Sequence, residues 1–482
     1  MKIIDIHPAE LRSAAQVILD AGGRMQMVYA WQPEPDITEL RYVLTESVDT
    51  RFCVWRCLAD NVPSLATVWP LLSWYEREIT DLYGIRFGGQ PEPYPLVLHD
   101  GFEEAEDSVA SKRHSALPEL SWDGANVQLL PFGPVRADVM ESAEFLFFYT
   151  GETIIHFQPQ LFFKHRGMER RFEGLPAAAG VTLAERVSGV SSVAHALAFC
   201  QGVENACQCE VPTRARQLRV LLAEMERLYN HLHYLGHLSH TTSLKVAEAE
   251  GKLLEEEVKR LNARLTGSRF LRSVLTIGGL RRDLQIDEAW LRGELESLRD
   301  RFARYKRHLE TTDSHLDRLI TTGHLDRRVA FEQGATGPVD RASGMDRDLR
   351  RDHPYAAYAD LPIKPAIRNA GDAHARAQVR MQEVEDSIAL AQRIILLLQP
   401  GPVRSDWQIR DRAEGIGWAE SPRGTTLYAI HFGAGGNLAR VKIKSPSFSN
   451  WRAFPYTVHD SNMMDYAINE ASFGLTISGC DR

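Results

Sequence analysis

Cysteine is scarce in this sequence. Six occur in 482 residues, at Cys53, Cys57, Cys200, Cys207, Cys209 and Cys480, far too few for a disulfide scaffold. Export is not signalled either, because Asp5 and His7 interrupt the amino terminus before an apolar stretch develops. The thiols are therefore expected to be reduced, in a cytoplasmic protein. No apolar run approaches the roughly 18 residues that would cross a bilayer. The nearest, Phe145 to Tyr149 and Ile394 to Leu398, have the length of a strand or a piece of buried helix. An excess of positive charge is also missing: 56 Lys and Arg stand against 64 Asp and Glu, a formal charge of −8, which gives no overall reason to bind nucleic acid. Nor is there a nucleotide-binding glycine loop, a Cys-x-x-Cys pair or a hydrolase elbow.

What is present is an ordinary globular balance, 44% hydrophobic and 25% charged, in a chain long enough for more than one domain. Residues 1–99 read as a small α/β unit. A helix is expected over Pro8 to Ala21, strands over Arg24 to Ala30, Arg41 to Thr45 and Phe52 to Trp55, and a helix from about Trp74 to Leu82, before Pro91, Pro93 and Pro95. Residues 100–122, opening with an acidic run from Asp100 to Asp107, read as a linker. From 123 to 482 the pattern is mainly helical. Strand-like runs flank a turn at Thr150-Gly151. Leu218, Leu221, Leu222, Met225, Leu228, Leu232 and Leu235 recur at spacings of three and four, which predicts a helix from Thr213 ending at Gly236. Glu250 to Leu265, Glu288 to Asp313 and His374 to Leu398 predict further long helices, and Leu427 to Phe432 with Leu438 to Ile443 a hairpin.

Unaided, these residues offer modest chemistry. Cys200, Cys207 and Cys209 lie within ten residues, but a fourth metal ligand at useful spacing is missing. His231, His233, His237 and His240 cluster, with only His233 and His237 expected on one helix face. Ser188 or Ser191 with His195 would make a nucleophile and base, without the glycine elbow that exposes such a serine.

Two stretches carry a resemblance. Glu76-Arg77-Glu78 followed by Asp81-Leu82-Tyr83-Gly84-Ile85-Arg86-Phe87 resembles the signature of the 30-kDa-type subunit of respiratory complex I. From about 123 onwards the chain resembles the 49-kDa-type subunit and the large subunit of group 4 membrane-bound nickel–iron hydrogenases. The matching pieces include Lys164-His165-Arg166-Gly167-Met168-Glu169, Glu226 to Leu232, Arg341-Ala342-Ser343-Gly344 with Asp348-Leu349-Arg350, Gly371 to Arg376, and Ser421-Pro422-Arg423-Gly424. The fused order is similar to that of formate hydrogenlyase-type hydrogenases. The resemblance implies an α+β protein: a small α/β domain, then a large α-rich domain built on a long-helix bundle with β-hairpins. It implies a peripheral place on the cytoplasmic face of a membrane, an iron–sulfur small subunit of the 20-kDa type as partner, and a membrane arm with antiporter-like subunits.

Departures from the family pattern set the functional expectation. The four thiolate positions of the nickel–iron centre fall on Ser188, Ser191, Thr476 and Gly479, with Cys480 one residue off. Hydroxyls bind such soft metals far more weakly than thiolates, so no metal is expected on this chain. The hairpin His that serves quinone in complex I falls on Met140, a preceding His on Arg136, and the quinone-binding Tyr near Gly189. Glu141, His195 and Arg423 match cavity residues of the hydrogenases and are the candidate proton-relay set. The expectation is a complex I-like redox subunit with no cofactor of its own, receiving electrons from the neighbouring cluster and coupling them to ion translocation. A quinone-reducing subunit, with quinone as a possible ligand, a true hydrogenase subunit and a redox-silent scaffold are the alternatives.

Overall fold

The computed structural model describes residues 2–46, 51–98, 126–136, 141–284 and 286–482. The expected linker, 100–122, and Met140 lie outside the described residues.

The first unit is a four-stranded sheet in the order β1-β4-β3-β2, made of β1 (Lys2–Asp5), β2 (Arg24–Glu34), β3 (Ile37–Thr45) and β4 (Phe52–Leu58). Helix α1 (Leu11–Asp20) is pinned by the Trp69 indole, which donates to the Ala15 carbonyl at 3.1 Å. Helix α2 (Ser73–Tyr83) carries the acidic signature and stops at Gly84, whose φ of 73° suits a residue without Cβ. Each charged residue of that signature has a task. Glu76 accepts from Ser64, Leu65 N–H and Gln90, and burial pushes its carboxyl up to about 7. Arg77 donates to the carbonyls of Tyr94 and Pro95, and Asp81 accepts from the amides of Leu96 and Val97. The proline-rich segment is thereby lashed to α2 by groups it would otherwise leave unpaired.

The second unit begins with three consecutive antiparallel strands, β5 (Gln128–Phe132), β6 (Glu144–Thr150) and β7 (Thr153–Gln160). Short helices α3 (Met168–Arg171) and α4 (Ala177–Ala184) lead to α5 (Ser192–Cys207), then to the long α6 (Thr213–Thr241), α7 (Lys245–Thr266) and α8 (Glu288–Thr311). The helix Ala373–Leu397 packs beside α6 and α8. An antiparallel sheet of Glu414–Ser421, Gly424–Phe432 and Leu438–Lys444 covers α5. The architecture is α+β. Among the described residues no helix is long and apolar enough to cross a membrane.

Two expectations need correcting. Helix α6 does not end at Gly236; it runs on to Thr241. Gly236 is instead the crossing point with α7, where a Cβ on the facing Gly251 would lie 2.8 Å from the Gly236 Cα and 2.7 Å from the Tyr305 hydroxyl. Helix backbones this close admit no side chain. Gly251→Ala is accordingly expected to lower stability by about 1–3 kcal/mol through overpacking, measured by urea unfolding; an unchanged midpoint would mean the helices part without cost. His240 also shares the face of its neighbours. The rings of His233 and His237, and of His237 and His240, stack at 6.3 Å each, as spacings of four and three require, while His231 is buried against Glu383.

Helix α5 was not legible as amphipathic because it is buried on nearly every side. The strand Glu414–Ser421 lies directly on it: a Cβ at Gly417 would fall 2.0 Å from the Ala198 carbonyl, a contact only glycine permits.

Candidate functional site

The two loops that would carry metal ligands meet between α5 and the short carboxyl-terminal helix Ile477–Cys480. On the first, Ser191 N–H donates to the Ser188 carbonyl at 3.1 Å, forming the turn that opens α5. Both serines are buried. The free amides at the start of α5 are met by Glu226, from the middle of α6, which accepts from Val193 and Ala194 N–H at 2.7 and 3.0 Å. Burial pushes its carboxyl up to about 7, outweighing those two bonds and the nearby Arg227 and Arg423. On the second loop, the Thr476 hydroxyl accepts from Gly479 N–H at 3.2 Å and lies 3.0 Å from the Ser447 hydroxyl.

Glu141 accepts from the amides of Ile477 and Ser478 at 2.6 and 3.0 Å, with the Lys164 ammonium 3.6 Å away. Arg423 donates to the Gly474 carbonyl at 2.6 Å and to the Asn230 side chain at 2.7 Å. Burial and the neighbouring Arg380 bring its guanidinium down to about 10. Glu141 and Arg423 therefore grip the two ends of one segment, 474–478. Arg166 completes the frame by donating to the carbonyls of Arg186, Val187 and Ser478, so it joins the serine turn to the carboxyl-terminal helix.

His195 stands apart from this pair. It is fully buried on α5, its Nδ1 is 2.9 Å from the Tyr428 hydroxyl, and its Nε2 has no hydrogen-bond partner among the described residues. Burial, with Arg166 nearby, brings its pKa down to about 3, so the ring is neutral at physiological pH. The His195 backbone N–H donates to the Ser191 carbonyl at 3.0 Å as part of the helix start, but among the described residues no hydrogen bond joins the His195 ring to Ser188, Ser191, Glu141 or Arg423, which removes the geometric basis for a serine–histidine couple.

A nickel–iron centre does not fit these residues. The four positions offer three hydroxyls and a hydrogen atom where soft thiolates are needed. The Thr476 hydroxyl is engaged in capping its own helix, and a Cβ built on Gly479 would meet that oxygen at 2.6 Å and the Ser447 hydroxyl at 3.2 Å. The space for a ligand side chain at 479 is thus closed by its neighbours. Cys480 is buried and its thiol is held well above the usual range by desolvation, which disfavours the thiolate. Among the described residues no group of three or more His, Cys, Asp or Glu could hold a metal ion, Cys200, Cys207 and Cys209 included. Of the quinone-related positions, Arg136 is already committed: its guanidinium lies 4.4 Å over the Phe145 ring and pairs with Glu470 at 3.3 Å. Gly189 has no side chain to offer.

Sequence reasoning missed the charge that ties the two units together. Glu78 of α2 receives Arg482 at 2.9 Å and Lys442 at 2.6 Å. Glu169, at the end of the Lys164 to Glu169 motif, receives Arg440, Lys442 and Arg482 within 3.1 Å and the Ile443 amide. All five side chains are buried, and the three cations hold the Glu169 carboxyl far below the usual carboxylate range. The two motifs that signalled the two halves meet here. Only the unusual density of charge in both could have hinted at it.

The comparisons with known proteins follow this division. Residues 4–108 match the family described as respiratory-chain NADH dehydrogenase, 30 Kd subunit, and residues 254–413 and 408–482 the 49 Kd subunit. Residues 166–264 match the nickel-dependent hydrogenases. Formate hydrogenlyase subunit 5 of Escherichia coli (strain K12) is 30% identical over 87% of this chain and 77% of its own. Hydrogenase-4 component G of the same organism is 29% identical, covering 91% and 79%. The C/D subunit of NADH-quinone oxidoreductase from Cereibacter sphaeroides (strain ATCC 17029 / ATH 2.4.9) is 27% identical, covering 88% and 82%. A chain in the solved structure of the membrane-bound sulfane sulfur reductase, an archaeal respiratory membrane complex, shares the fold with a TM-score of 0.69 and 24% identity, over 74% of this chain and 99% of that one.

Proposed function

The chain belongs to the family uniting the 30- and 49-kDa subunits of respiratory-chain NADH dehydrogenase with nickel-dependent hydrogenase large subunits, and we propose that it works in a complex I-like membrane redox complex without a nickel–iron centre. In this reading it sits peripherally on the cytoplasmic face, beside an iron–sulfur small subunit of the 20-kDa type and against a membrane arm with antiporter-like subunits. Electrons reach the neighbouring cluster, and the charge change beside the emptied site is coupled to ion translocation in the arm.

The observation that carries this reading is the donor set: Ser188, Ser191, Thr476 and a sterically closed Gly479, inside a frame that Glu141, Arg166 and Arg423 hold by hydrogen bonds. A hydrogenase reading lacks its thiolates. A quinone-reducing reading lacks a side chain at Gly189 and finds Arg136 engaged elsewhere. The relay role is assigned to Glu141 because it is the one carboxylate among the three side chains of the frame and is only partly buried, with Lys164 beside it. Arg423 supplies fixed positive charge at the other end of segment 474–478. His195, neutral and tied to Tyr428, orients rather than relays.

Elemental mass spectrometry on the anaerobically purified complex tests the first part. No nickel, and iron only at cluster stoichiometry, is the expected result, whereas about one nickel per chain would overturn the proposal. Glu141→Gln tests the second. The carboxamide keeps an oxygen for one of the Ile477 and Ser478 amides, gives up the bond to the other and cannot carry the proton. Turnover or ion movement is expected to fall by at least about tenfold in a variant that still assembles and melts in a single transition. Full activity in that variant would leave a scaffold.

A further inference from the structure

Three histidines of α6 take no part in the frame around segment 474–478. His233, His237 and His240 stand on the exposed side of the helix, and adjacent rings lie 6.3 Å apart with planes 5° and 6° from parallel. Two imidazoles bound to one ion through bonds of about 2.1 Å have ring centres roughly 5–6.5 Å apart. Each neighbouring pair already falls inside that range, so the rings need only turn in place to share an ion. The terminal torsion of histidine is broad enough to let them.

Their partners on α7 tell the two pairs apart. The His233 Nδ1 lies 3.1 Å from Glu255 Oε2. Desolvation works to raise the Glu255 carboxyl, but His233 and Lys259 hold it below the usual range, so it is ionised. A carboxylate only accepts, so Nδ1 carries the hydrogen and Nε2 of the neutral ring keeps its lone pair. A carboxylate behind a histidine is the arrangement that orients metal-ligating imidazoles and raises their basicity. The His237 ring makes no hydrogen bond among the described residues. Burial, with His233, His240 and Lys252 nearby, lowers its pKa and keeps a lone pair available near neutral pH. His240 differs. Its Nδ1 is 3.0 Å from both Glu248 Oε2 and the Lys245 ammonium, and Lys252 binds Glu248 at 2.6 Å. Two ammonium groups therefore oppose a dication at that end. At the other end the single ammonium, Lys259, lies 5.0 Å over the Phe270 ring.

We propose that His233 and His237 bind a divalent transition-metal ion of the zinc class through their Nε2 atoms, with Glu255 as the positioning residue behind His233 and water in the remaining places. Among the described residues no third His, Cys, Asp or Glu completes the set, so the site is open and exchangeable rather than a closed structural one. Imidazole favours zinc, copper or nickel over magnesium and calcium, which take oxygen donors. The ion clamps one turn of α6 and, through Glu255, ties it to α7.

Calorimetry of the full chain with zinc chloride, after stripping with EDTA, tests this. A saturable micromolar site is expected, absent in His237→Gln and retained in His240→Gln. Both substitutions lie on the exposed side of α6 and leave its packing alone. Glu255→Gln is expected to weaken the site about tenfold, the low end of what a residue behind a metal-ligating histidine contributes, and its melting temperature without zinc confirms that it folds. Zinc held elsewhere, on Cys207 or Cys209 for instance, persists in every variant and drops out of the difference. The same zinc heat in His237→Gln, an equal loss in His240→Gln, an unaltered affinity in folded Glu255→Gln, or displacement by excess magnesium would each overturn the assignment. EDTA empties an open site of this kind and not a nickel–iron centre, so the result stands apart from the elemental test above.

Discussion

Arg341→Met is expected to destabilise the chain by about 3–5 kcal/mol, the cost of leaving buried carboxylates without their cation. The guanidinium is completely buried and donates to Glu383 at 2.6 Å, to Glu420 at 3.0 Å and to the Arg347 carbonyl at 3.0 Å, with Asp348 at 3.6 Å. Methionine matches its length but supplies neither charge nor donor. Glu383 would keep His231 at 2.8 Å and Arg227 at 3.6 Å. Glu420 has less to fall back on, since burial and Asp348 already push its carboxyl up to about 7 with Arg341 in place. Urea unfolding reads the effect. A companion variant that also converts Glu420 to Leu is expected to recover part of the loss, because it removes the buried carboxylate that Arg341→Met leaves with least to pair with, while Glu383 keeps Arg227 and His231. A single-variant loss below about 1 kcal/mol would show that water reaches the network and screens it.

That network explains why much of the sequence was informative and where it stopped being so. The spacing of leucines from Leu218 to Leu235 foretold α6 because one face of that helix is apolar and the opposite one bears charge. The same charged residues, Glu224, Arg227 and His231 among them, are nevertheless buried, paired with Arg350 and Glu383 from later in the chain. A sequence pattern cannot tell a solvated charged face from one that meets its complement 126 or 152 residues away. The motifs Arg341 to Gly344 and Asp348 to Arg350 marked the family and turn out to supply this lining. Helix α5 and the strand Glu414–Ser421 escaped notice for the opposite reason: buried on both sides, they carry no periodic contrast to read.

The candidate site divides the same way. The expectation that the four ligand positions fall on Ser188, Ser191, Thr476 and Gly479 rests on residue types and needed no coordinates. The closing of the 479 position by Thr476 and Ser447 is a statement about distances and did. Glu141 and Arg423 were legible as candidates, but not their shared hold on segment 474–478. His195 was grouped with them by resemblance, whereas its partner, Tyr428, lies 233 residues on, in the strand Gly424–Phe432 of the sheet that covers α5. Glu226 was hidden because the amides it satisfies precede it by 33 and 32 residues and carry no side-chain signature at all.

Glu226 also gives the second large effect, one that is visible only as a function of pH. Its carboxyl is pushed up to about 7 in the fold, against roughly 4.3 in an unfolded chain. A raised carboxyl pKa stabilises the fold below the unfolded value and loses that contribution as pH climbs to the folded one, because the unfolded chain releases its proton first. Glu226→Gln removes this slope. Relative to the native chain, the variant is therefore expected to gain stability steadily between about pH 4.5 and 7 and to level off above, with a total swing of about 3.5 kcal/mol at roughly 1.36 kcal/mol per pH unit. A constant penalty should lie beneath it, since the carboxamide oxygen cannot serve both Val193 and Ala194 as well as a carboxylate does. Denaturant midpoints of both proteins across that range separate the two components. An offset that does not change with pH would mean that the amides of α5, together with Arg227 and Arg423, overcome desolvation and keep Glu226 ionised. The start of α5, with the turn of Ser188 and Ser191 before it, would then have a permanent negative charge behind it rather than a titrating one.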